Sequence, residues 1–471
     1  MKQLGSLIII SNLKKSSFNK GTVANHAFWL YISLLYQIPS LNKIITKYFV
    51  IILFKDGKWY YYNVQFTKSL FMSKPAKFNR LKDCVVTNKN VILRVDINVP
   101  IVEKKIEDDT RIKAVIPTIE YLVKNNAKVI VISHFGRPEG KREDSMSIKQ
   151  LMPRLQELLN STKFYFVDDC MGSKVKDAID KANFGEVVVL ENLRFYKQET
   201  KNDQSFSQEL ASLGNLYVND AFSCSHRSHS SITGIPAILK SCAGFLMEKE
   251  LDNLTNLLEN AKKPMMAVVG GAKVSTKIDL INSLSKKAQT IVVAGGMANS
   301  FLYAMGKKVG NSLCEKELKN DALKILENVQ KNNCKIILPV DLVVSKKFAK
   351  DAINRNITID QIEDDDIILD VGVATSQLLE LELNNHKTVL WNGPLGAFEI
   401  KPFDKGTVNF AKSIANLTKK GLITSIAGGG DVVSAINSCN LFDEFSYIST
   451  AGGAFLEWIE GKELPGVKAL Y

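Results

Sequence analysis

From about residue 83 onward the sequence repeats one rhythm: a short continuous apolar run rich in β-branched residues, a polar or glycine-rich cluster, then a stretch whose apolar residues recur at helical spacing. VILRV leads to DINVP, VIVIS to HFGRP, VVVL to ENLRFY and LYV to NDAFSCSHR; after about residue 265 come MMAVVGGAKV, TIVVAGGMAN, KIILPVDLV, TVLWNGPLG, LITSIAGGGD and EFSYISTAGGA. Apolar runs that do not alternate belong to strands buried on both faces, and strands separated by helices pair in parallel. The expected fold class is α/β, with two doubly wound parallel-sheet (Rossmann-like) domains. Between them LMEKELDNLTNLLEN, with Leu246, Leu251, Leu254, Leu257 and Leu258 set among charges, predicts a hinge helix. The expected boundaries are 72–245 for the first domain, 246–264 for the interdomain helix, 265–455 for the second domain and 456–471 for a C-terminal tail.

The formal charge of +12 suggests a nucleic-acid partner until it is divided along the chain. Residues 1–71 hold nine Lys, no Arg or Glu, and Asp56 alone among acids, so most of the excess lies there. This segment also holds 14 of the 40 aromatics, and is therefore a different kind of sequence from the body. Its apolar patches, Phe28 to Tyr36 and Tyr48 to Phe54, are each too short to span a bilayer, which takes roughly 20 residues. Met72 opens a polar stretch and reads as a natural start. The upstream part is then an over-extended reading frame, a membrane-surface or targeting segment, or an added structural element. The body lacks the basic stripe of a nucleic-acid binder, and no stable membrane insertion is expected. Seven cysteines without a C-x-x-C pair indicate neither a zinc knuckle nor a disulfide framework, and point to a reducing compartment.

In open parallel sheets ligands bind beyond the carboxyl ends of the strands, where every cluster above falls. The two halves bring different chemistry to that rim. The nine arginines all lie in the body, eight of them before residue 230, against 52 lysines overall. Guanidinium forks grip phosphate and carboxylate at two points, and Arg94, Arg137, Arg194 and Arg227 at four strand ends are expected to converge on one small, highly anionic molecule. The second half offers glycine turns at 270–271, 295–296, 393, 428–430 and 452–453, which let backbone N–H groups and helix N-termini approach phosphates. Neither a P-loop nor a dinucleotide fingerprint is present.

Read together, LRVDINVP (93–100), DDTRI (108–112), SHFGRP (133–138), ENLRFY (191–196), NDAFSCSHRSHSS (219–231), GGAKVSTKI (270–278), AGGMANSF (294–301), LWNGPLGAFE (390–399), AGGGD (427–431) and EGKELPGV (460–467) resemble the phosphoglycerate kinase family in order. The resemblance implies a transferase of glycolysis and gluconeogenesis, cytoplasmic and monomeric. It would move a phosphoryl group reversibly between ATP and the carboxylate of 3-phosphoglycerate with Mg2+. The first domain would take 3-phosphoglycerate, the second ATP or ADP, and the tail would return to the first. It implies that Asp96 and Asn98 bind the glycerate, that His134, Arg137, Arg194 and Arg227 hold its phosphate, and that Arg111 reaches the transferring group. Lys273 would follow that group, with Gly429 and Gly452 donating N–H groups to it; Lys277 would hold the nucleotide phosphates, Glu399 the ribose, Gly430 and Val432 the nucleotide, and Asp431 the magnesium. Asp108 and Asp109 are expected to orient the Arg111 loop, and His226 and His229 to be structural.

Three departures fall in the nucleotide half. Val432 stands where the family usually has Ser or Thr, Ala451 replaces the first of three glycines, and Val373-Ala374 replaces a Pro-Lys pair. A hydroxyl at 432 would cap the helix and bond a phosphate, so Val432→Thr is expected to tighten nucleotide binding. A non-catalytic nucleotide-binding scaffold is the alternative, which loss of Arg111, Lys273 or Asp431 would have favoured.

Overall fold

The computed structural model describes residues 48–55, 58–65 and 78–471 apart from Lys104 and Ser161, with side chains from Phe78 onward except that of Leu258. The chain separates into two units, 1–77 and 78–471. In the first, β1 (Tyr48–Lys55) and β2 (Lys58–Gln65) form an antiparallel hairpin with Tyr48 opposite Gln65. The patch at 28–36 and the proposed start at Met72 lie outside the described residues.

The second unit carries two six-stranded parallel sheets, as the rhythm predicts. The first half runs through β3 (Asn90–Val95), a small hairpin of β4 (Ile101–Val102) and β5 (Lys105–Ile106), then β6 (Lys128–Ile132), β7 (Phe164–Val167), β8 (Val187–Leu190), β9 (Leu216–Asp220) and β10 (Ser241–Ala243), assembled in the order β10-β9-β3-β6-β8-β7. Alternate residues serve opposite layers. Val91, Leu93, Val129 and Val131 join one buried cluster, while Ile92, Ile130, Ile132 and Val188 join another. That is why the sequence shows continuous apolar runs instead of alternation.

The second half contains β11 (Met265–Val269), β12 (Thr290–Val293), β13 (Lys335–Ile337), β14 (Asp341–Ser345), β15 (Asn354–Thr358), β16 (Ile367–Val371), β17 (Thr388–Asn392), β18 (Thr424–Gly428) and β19 (Tyr447–Ser449). The main sheet has the order β13-β12-β11-β17-β18-β19, and an antiparallel sheet β15-β14-β16 stands beside it. Met265, Ala267 and Val269 face one cluster, Met266 and Val268 the other.

The helix Phe245–Asn260 joins the halves. Its first residues, Phe245 and Leu246, pack on a cluster of the first sheet, and Met247, Leu251, Leu254 and Leu257 on one of the second. The Asp220 carboxylate accepts from the N–H groups of Leu246 (2.8 Å) and Met247 (3.1 Å), satisfying donors that a helix start leaves unpaired. Gly244 before it is required: a β-carbon there would lie 2.4 Å from Asp220. At the chain's end, Leu464, Val467 and Leu470 are buried in the same cluster as Phe222, Gly466 N–H donates to Ser225 O (2.8 Å), and Asn79 N–H to Leu470 O (3.2 Å).

Candidate functional site

The first rim is a ring of basic and polar groups fastened to one another. Asp96, just past β3, accepts from Arg111 Nη1 (3.1 Å), from the Ser223 hydroxyl and from Asn98 N–H (3.1 Å). The same Arg111 nitrogen donates to Asn98 O (3.0 Å), the Asn98 side chain accepts from Gly136 N–H (2.8 Å), and Arg194 Nη1 donates to Gly136 O (2.9 Å). Burial alone would raise the Asp96 carboxyl, but His134, Arg111, the Ser223 hydroxyl and Arg94 hold it below its usual range. Asp96, Asn98, Arg111, His134 and Arg194 are thereby brought together.

Arg94 is a correction to the sequence reading. It is 0% exposed and serves the ring from behind, donating to Ser231 Oγ (2.9 Å) and to His134 Nδ1 (3.1 Å). A guanidinium can only donate, so His134 Nδ1 is an acceptor and Nε2 carries the hydrogen. Burial, with Arg94, Arg194 and Arg227 nearby, holds His134 well below its ordinary pKa and keeps it neutral. Ser231 passes the link to the buried carboxylate of Glu199 (2.6 Å). Burial, then Arg94 and Arg227, lower Arg194 to about 10, and its buried Nε has no partner among the described residues. Arg94, Arg194 and Arg227 are held close with two buried carboxyl groups, Asp96 and Glu199, and the exposed forks of the ring leave a site that an anion completes. Arg137 is exposed and makes no side-chain hydrogen bond among the described residues, so its fork is free for a ligand.

His226 and His229 are both lowered by burial first, the latter to about 4 with Arg194 next in effect, and neither carries charge at neutral pH. Asp108 accepts from Thr110 N–H (2.9 Å) and Asp109 from Arg154 Nε (2.8 Å), so both shape the turn that presents Arg111.

The second rim forms a cleft of ≈ 390 Å³ lined by Lys273, Lys277, Asn392, Gly429, Gly430, Asp431, Val432 and Gly452, among others. Gly429 (φ 105°) and Gly452 (φ 58°) immediately precede the helices Gly430–Ser438 and Gly453–Ile459. Their left-handed backbone is one that a β-carbon disfavours, and it leaves the first N–H groups of each helix uncapped by side chains. Lys277 Nζ donates to the Asn392 side-chain oxygen, whose amide nitrogen donates to Gly428 O (2.5 Å). Burial lowers the Lys277 ammonium, with Asp431 and Glu460 opposing. Asn392 is a site residue that sequence reasoning missed; its only signal was its place at the end of TVLWN. Lys273 and Asp431 are exposed on the cleft, and Asp431 is its one carboxylate lining residue. A hard cation takes carboxylate oxygen together with phosphate and water oxygens, so this donor set fits magnesium. A second, more apolar cavity of ≈ 310 Å³ opens beside it, lined by Leu313, Leu342, Phe348 and Ile368 together with Glu399 and Asp431.

Each of the three departures has its own structural setting. Val432 is 0% exposed and its side chain packs with Ala427 and Ile436, so a hydroxyl there would enter the core, while the backbone N–H still heads the helix. Ala451 is buried and keeps a negative φ, so the missing glycine costs no strain. At Val373-Ala374 the helix start is satisfied internally: Asp341 accepts from the N–H groups of Ala374 (2.9 Å) and Thr375 (2.7 Å).

The two rims meet. A cavity of ≈ 290 Å³ is lined by Asp108, Thr110 and Arg111 from one half and by Gly429, Gly430, Thr450 and Gly452 from the other. Arg111, Lys273 and Asp431, whose loss would mark a non-catalytic scaffold, all line the cleft system. Among the described residues no helix is long and apolar enough to cross a membrane.

Residues 81–462 match the family model for phosphoglycerate kinase. A phosphoglycerate kinase of Xanthobacter autotrophicus is 48% identical over 393 residues, covering 83% of this chain and 99% of the relative, and one of Brucella abortus is 47% identical with the same coverage. Among solved structures, a phosphoglycerate kinase from Coxiella burnetii has a TM-score of 0.76 at 39% identity, covering 84% of this chain and 99% of its own, and one from Pyrococcus horikoshii a TM-score of 0.68 at 32% identity, with 83% and 98% covered.

Proposed function

The chain belongs to the phosphoglycerate kinase family and transfers a phosphoryl group between ATP and the carboxylate of 3-phosphoglycerate, and from that premise we propose how its residues divide the work. Arg137, Arg194, Arg227 and the Nε2–H of neutral His134 hold the phosphate that does not react. Asp96 and Asn98 orient the glycerate. The acceptor carboxylate, with a pKa near 3.5, is ionised at neutral pH, so no general base is needed. What remains is in-line placement, neutralisation of the phosphoryl oxygens and exclusion of water.

Arg111 is pinned to Asp96 and Asn98 O through one nitrogen, leaving its other donors to face the glycines across the cavity. That shared cavity carries the assignment. Opposite it, Lys273 and the N–H groups beyond Gly429 and Gly452 receive charge as it develops, Lys277 and Asn392 hold the nucleotide phosphates with Gly430 and Val432 N–H, and Glu399 takes the ribose at the edge of the apolar cavity. Asp431 would hold Mg2+, which would supply positive charge to offset that of the nucleotide phosphates.

Domains of 72–245 and 265–455 joined at 246–264, with 456–471 returning, are the functional bodies of this reading. The scattered free cysteines support a cytoplasmic setting. Calorimetric titration of 3-phosphoglycerate and of Mg·ADP, each alone, tests the division. Arg137→Ala should weaken only the first and Lys277→Ala only the second. Variants that each weakened both ligands equally would overturn it.

A further inference from the structure

Five strands of the second main sheet are entered through lysine. Lys262 and Lys263 precede β11, Lys286 and Lys287 precede β12, Lys335 opens β13, Lys387 precedes β17, and Lys419 and Lys420 precede β18. The strand order β13-β12-β11-β17-β18 makes these segments neighbours, and their backbones are stitched together. Lys335 N–H donates to Gln289 O (2.9 Å), Gln289 N–H to Met265 O (2.9 Å), Lys387 N–H to Pro264 O (2.8 Å) and Thr424 N–H to Lys387 O (2.8 Å). With strands about 4.8 Å apart, the row runs roughly 20 Å across the amino ends of the sheet. The nucleotide cleft lies at the opposite, carboxyl ends. All of these lysines but Lys287 are exposed. Lys335 pairs with Glu382 and Lys419 with Glu444 (3.4 Å), and the other six make no ion pair among the described residues.

A lysine that follows a helix complements the partial negative charge of the last carbonyls, and one per helix does so. Three of these five entries carry two. The same rim of the first sheet has single lysines at 89, 163 and 240, with Glu186 and Asn215 among them and Lys163 paired to Glu186 (3.3 Å). The row on the second sheet is therefore an excess of unpaired charge on one face. We propose that this face is a docking surface for an anionic phospholipid membrane, on which the chain rests peripherally and reversibly.

Charge complementarity sets the sign of the partner, because clustered lysines are drawn to a negative lipid surface additively. The chemistry of the row sets its class. The segments ENAKKP, SKKAQT, NNCK, NHKT and TKKGLI contain no Arg, Phe, Tyr or Trp, so the row lacks the guanidinium forks and aromatic faces with which proteins grip and stack on nucleic acid. Lysine instead carries a point charge on a long apolar stem, which suits a diffuse layer of headgroups. Leu422 adds an apolar group to the same face. Gly421 (φ 68°) ends the helix Lys405–Lys419, with Gly421 N–H on Thr418 O (2.8 Å) and Leu422 N–H on Leu417 O (3.0 Å), and this turn leaves Leu422 50% exposed beside Lys419 and Lys420. A leucine placed there gains by entering the headgroup layer. The lysines come from five separated segments, so no basic run marks them in the sequence. A chain held by this face keeps its nucleotide cleft, at the other ends of the strands, open to solvent.

The test is sedimentation of the full chain with vesicles of phosphatidylcholine alone or mixed with phosphatidylglycerol, at low and at high salt. The expected result is binding to the mixed vesicles only, lost as salt screens the charges. Combining Lys263→Gln, Lys286→Gln, Lys387→Gln and Lys420→Gln should weaken that binding by about tenfold or more, with the thermal midpoint and kcat unchanged. Vesicles should also slow acetylation of these four lysines in the unaltered chain, and not of Lys273 on the opposite rim. Residues 1–71 hold nine lysines of their own, so undiminished binding by the fourfold variant would place the contact there and overturn the proposal. Equal binding to neutral vesicles, no binding to either, or capture of single-stranded RNA in place of vesicles by the same lysines would each overturn it as well.

Discussion

Glu250, midway along the connecting helix, accepts a 3.0 Å hydrogen bond from the hydroxyl of Ser449 at the end of β19, and so ties the helix to the nucleotide half. The carboxyl is 2% exposed, and burial raises it to about 7 despite donors from Tyr447, Ser449 and Thr450 N–H and the charge of Lys249. Asp220 at the head of the same helix is raised by burial to about 6, against Thr118, Met247 N–H and Leu246 N–H. The sign follows by linkage. Between the unfolded value near 4.3 and the folded value, the unfolded chain sheds the proton that the folded chain keeps, so stability falls as pH rises through that window. Glu250→Gln retains an acceptor for Ser449 and cannot ionise. Its denaturation midpoint should therefore fall less than that of the unaltered chain between pH 5 and pH 8, by the equivalent of about 1–3 kcal/mol. Parallel slopes would show that Glu250 is ionised in the fold at both pH values.

Arg111→Ala should lower kcat by about 10²–10³, the scale for removing one donor aimed at developing charge, and change the KM for 3-phosphoglycerate little. Its Asp96 anchor is also held by Ser223, so the ring should survive the loss. Steady-state kinetics decides it, and a KM effect as large as the kcat effect would place Arg111 on the bound substrate instead.

Arg137→Ala should do the reverse. The side chain is exposed and bonded to nothing else described, so stability should hold while the KM for 3-phosphoglycerate rises about tenfold or more, as expected for one charge-assisted bond. An unchanged KM with lowered stability would make it a structural residue.

Strand parity and residue chemistry made much of this legible. Continuous runs such as VVVL foretold two-sided burial, and the strand-end clusters gave both rims. Parity also held the answer for Arg94, which the sequence reading placed on the rim. It follows Ile92 by two positions on β3 and must share its face, inside the layer, whereas Arg194 and Arg227 lie beyond their strands in turns free to face a ligand. Other features arise from pairings with no local trace. Asn392 works through Lys277 at a separation of 115 residues, and Asn79 meets Ser241 and Ala243 only because the start of the unit lies along β10. Glycine identity located the phosphate-facing turns, but only the backbone shows which ones adopt positive φ ahead of a helix.

Val432 supplies the sharpest reversal. From sequence, Thr at 432 promises a cap and a phosphate contact. In the fold residue 432 borders the cleft, but its side chain sits at 0% exposure in the cluster with Val268, Trp391 and Ile436. The position's contribution to the site is its N–H at the head of Gly430–Ser438, where the first peptides carry partial positive charge, and valine provides that as well as threonine does. Val432→Thr replaces a buried methyl by a hydroxyl of almost equal size, whose cost is about 1–3 kcal/mol unless a nearby carbonyl accepts from it. The expected outcome is a lower midpoint in chemical denaturation with Mg·ADP affinity unchanged within about twofold, the equivalent of about 0.4 kcal/mol. Calorimetric titration alongside the denaturation curve separates the two effects. Tighter nucleotide binding at unchanged stability would mean that the hydroxyl reaches the phosphates after all, and that residue 432 turns toward the cleft when the nucleotide arrives.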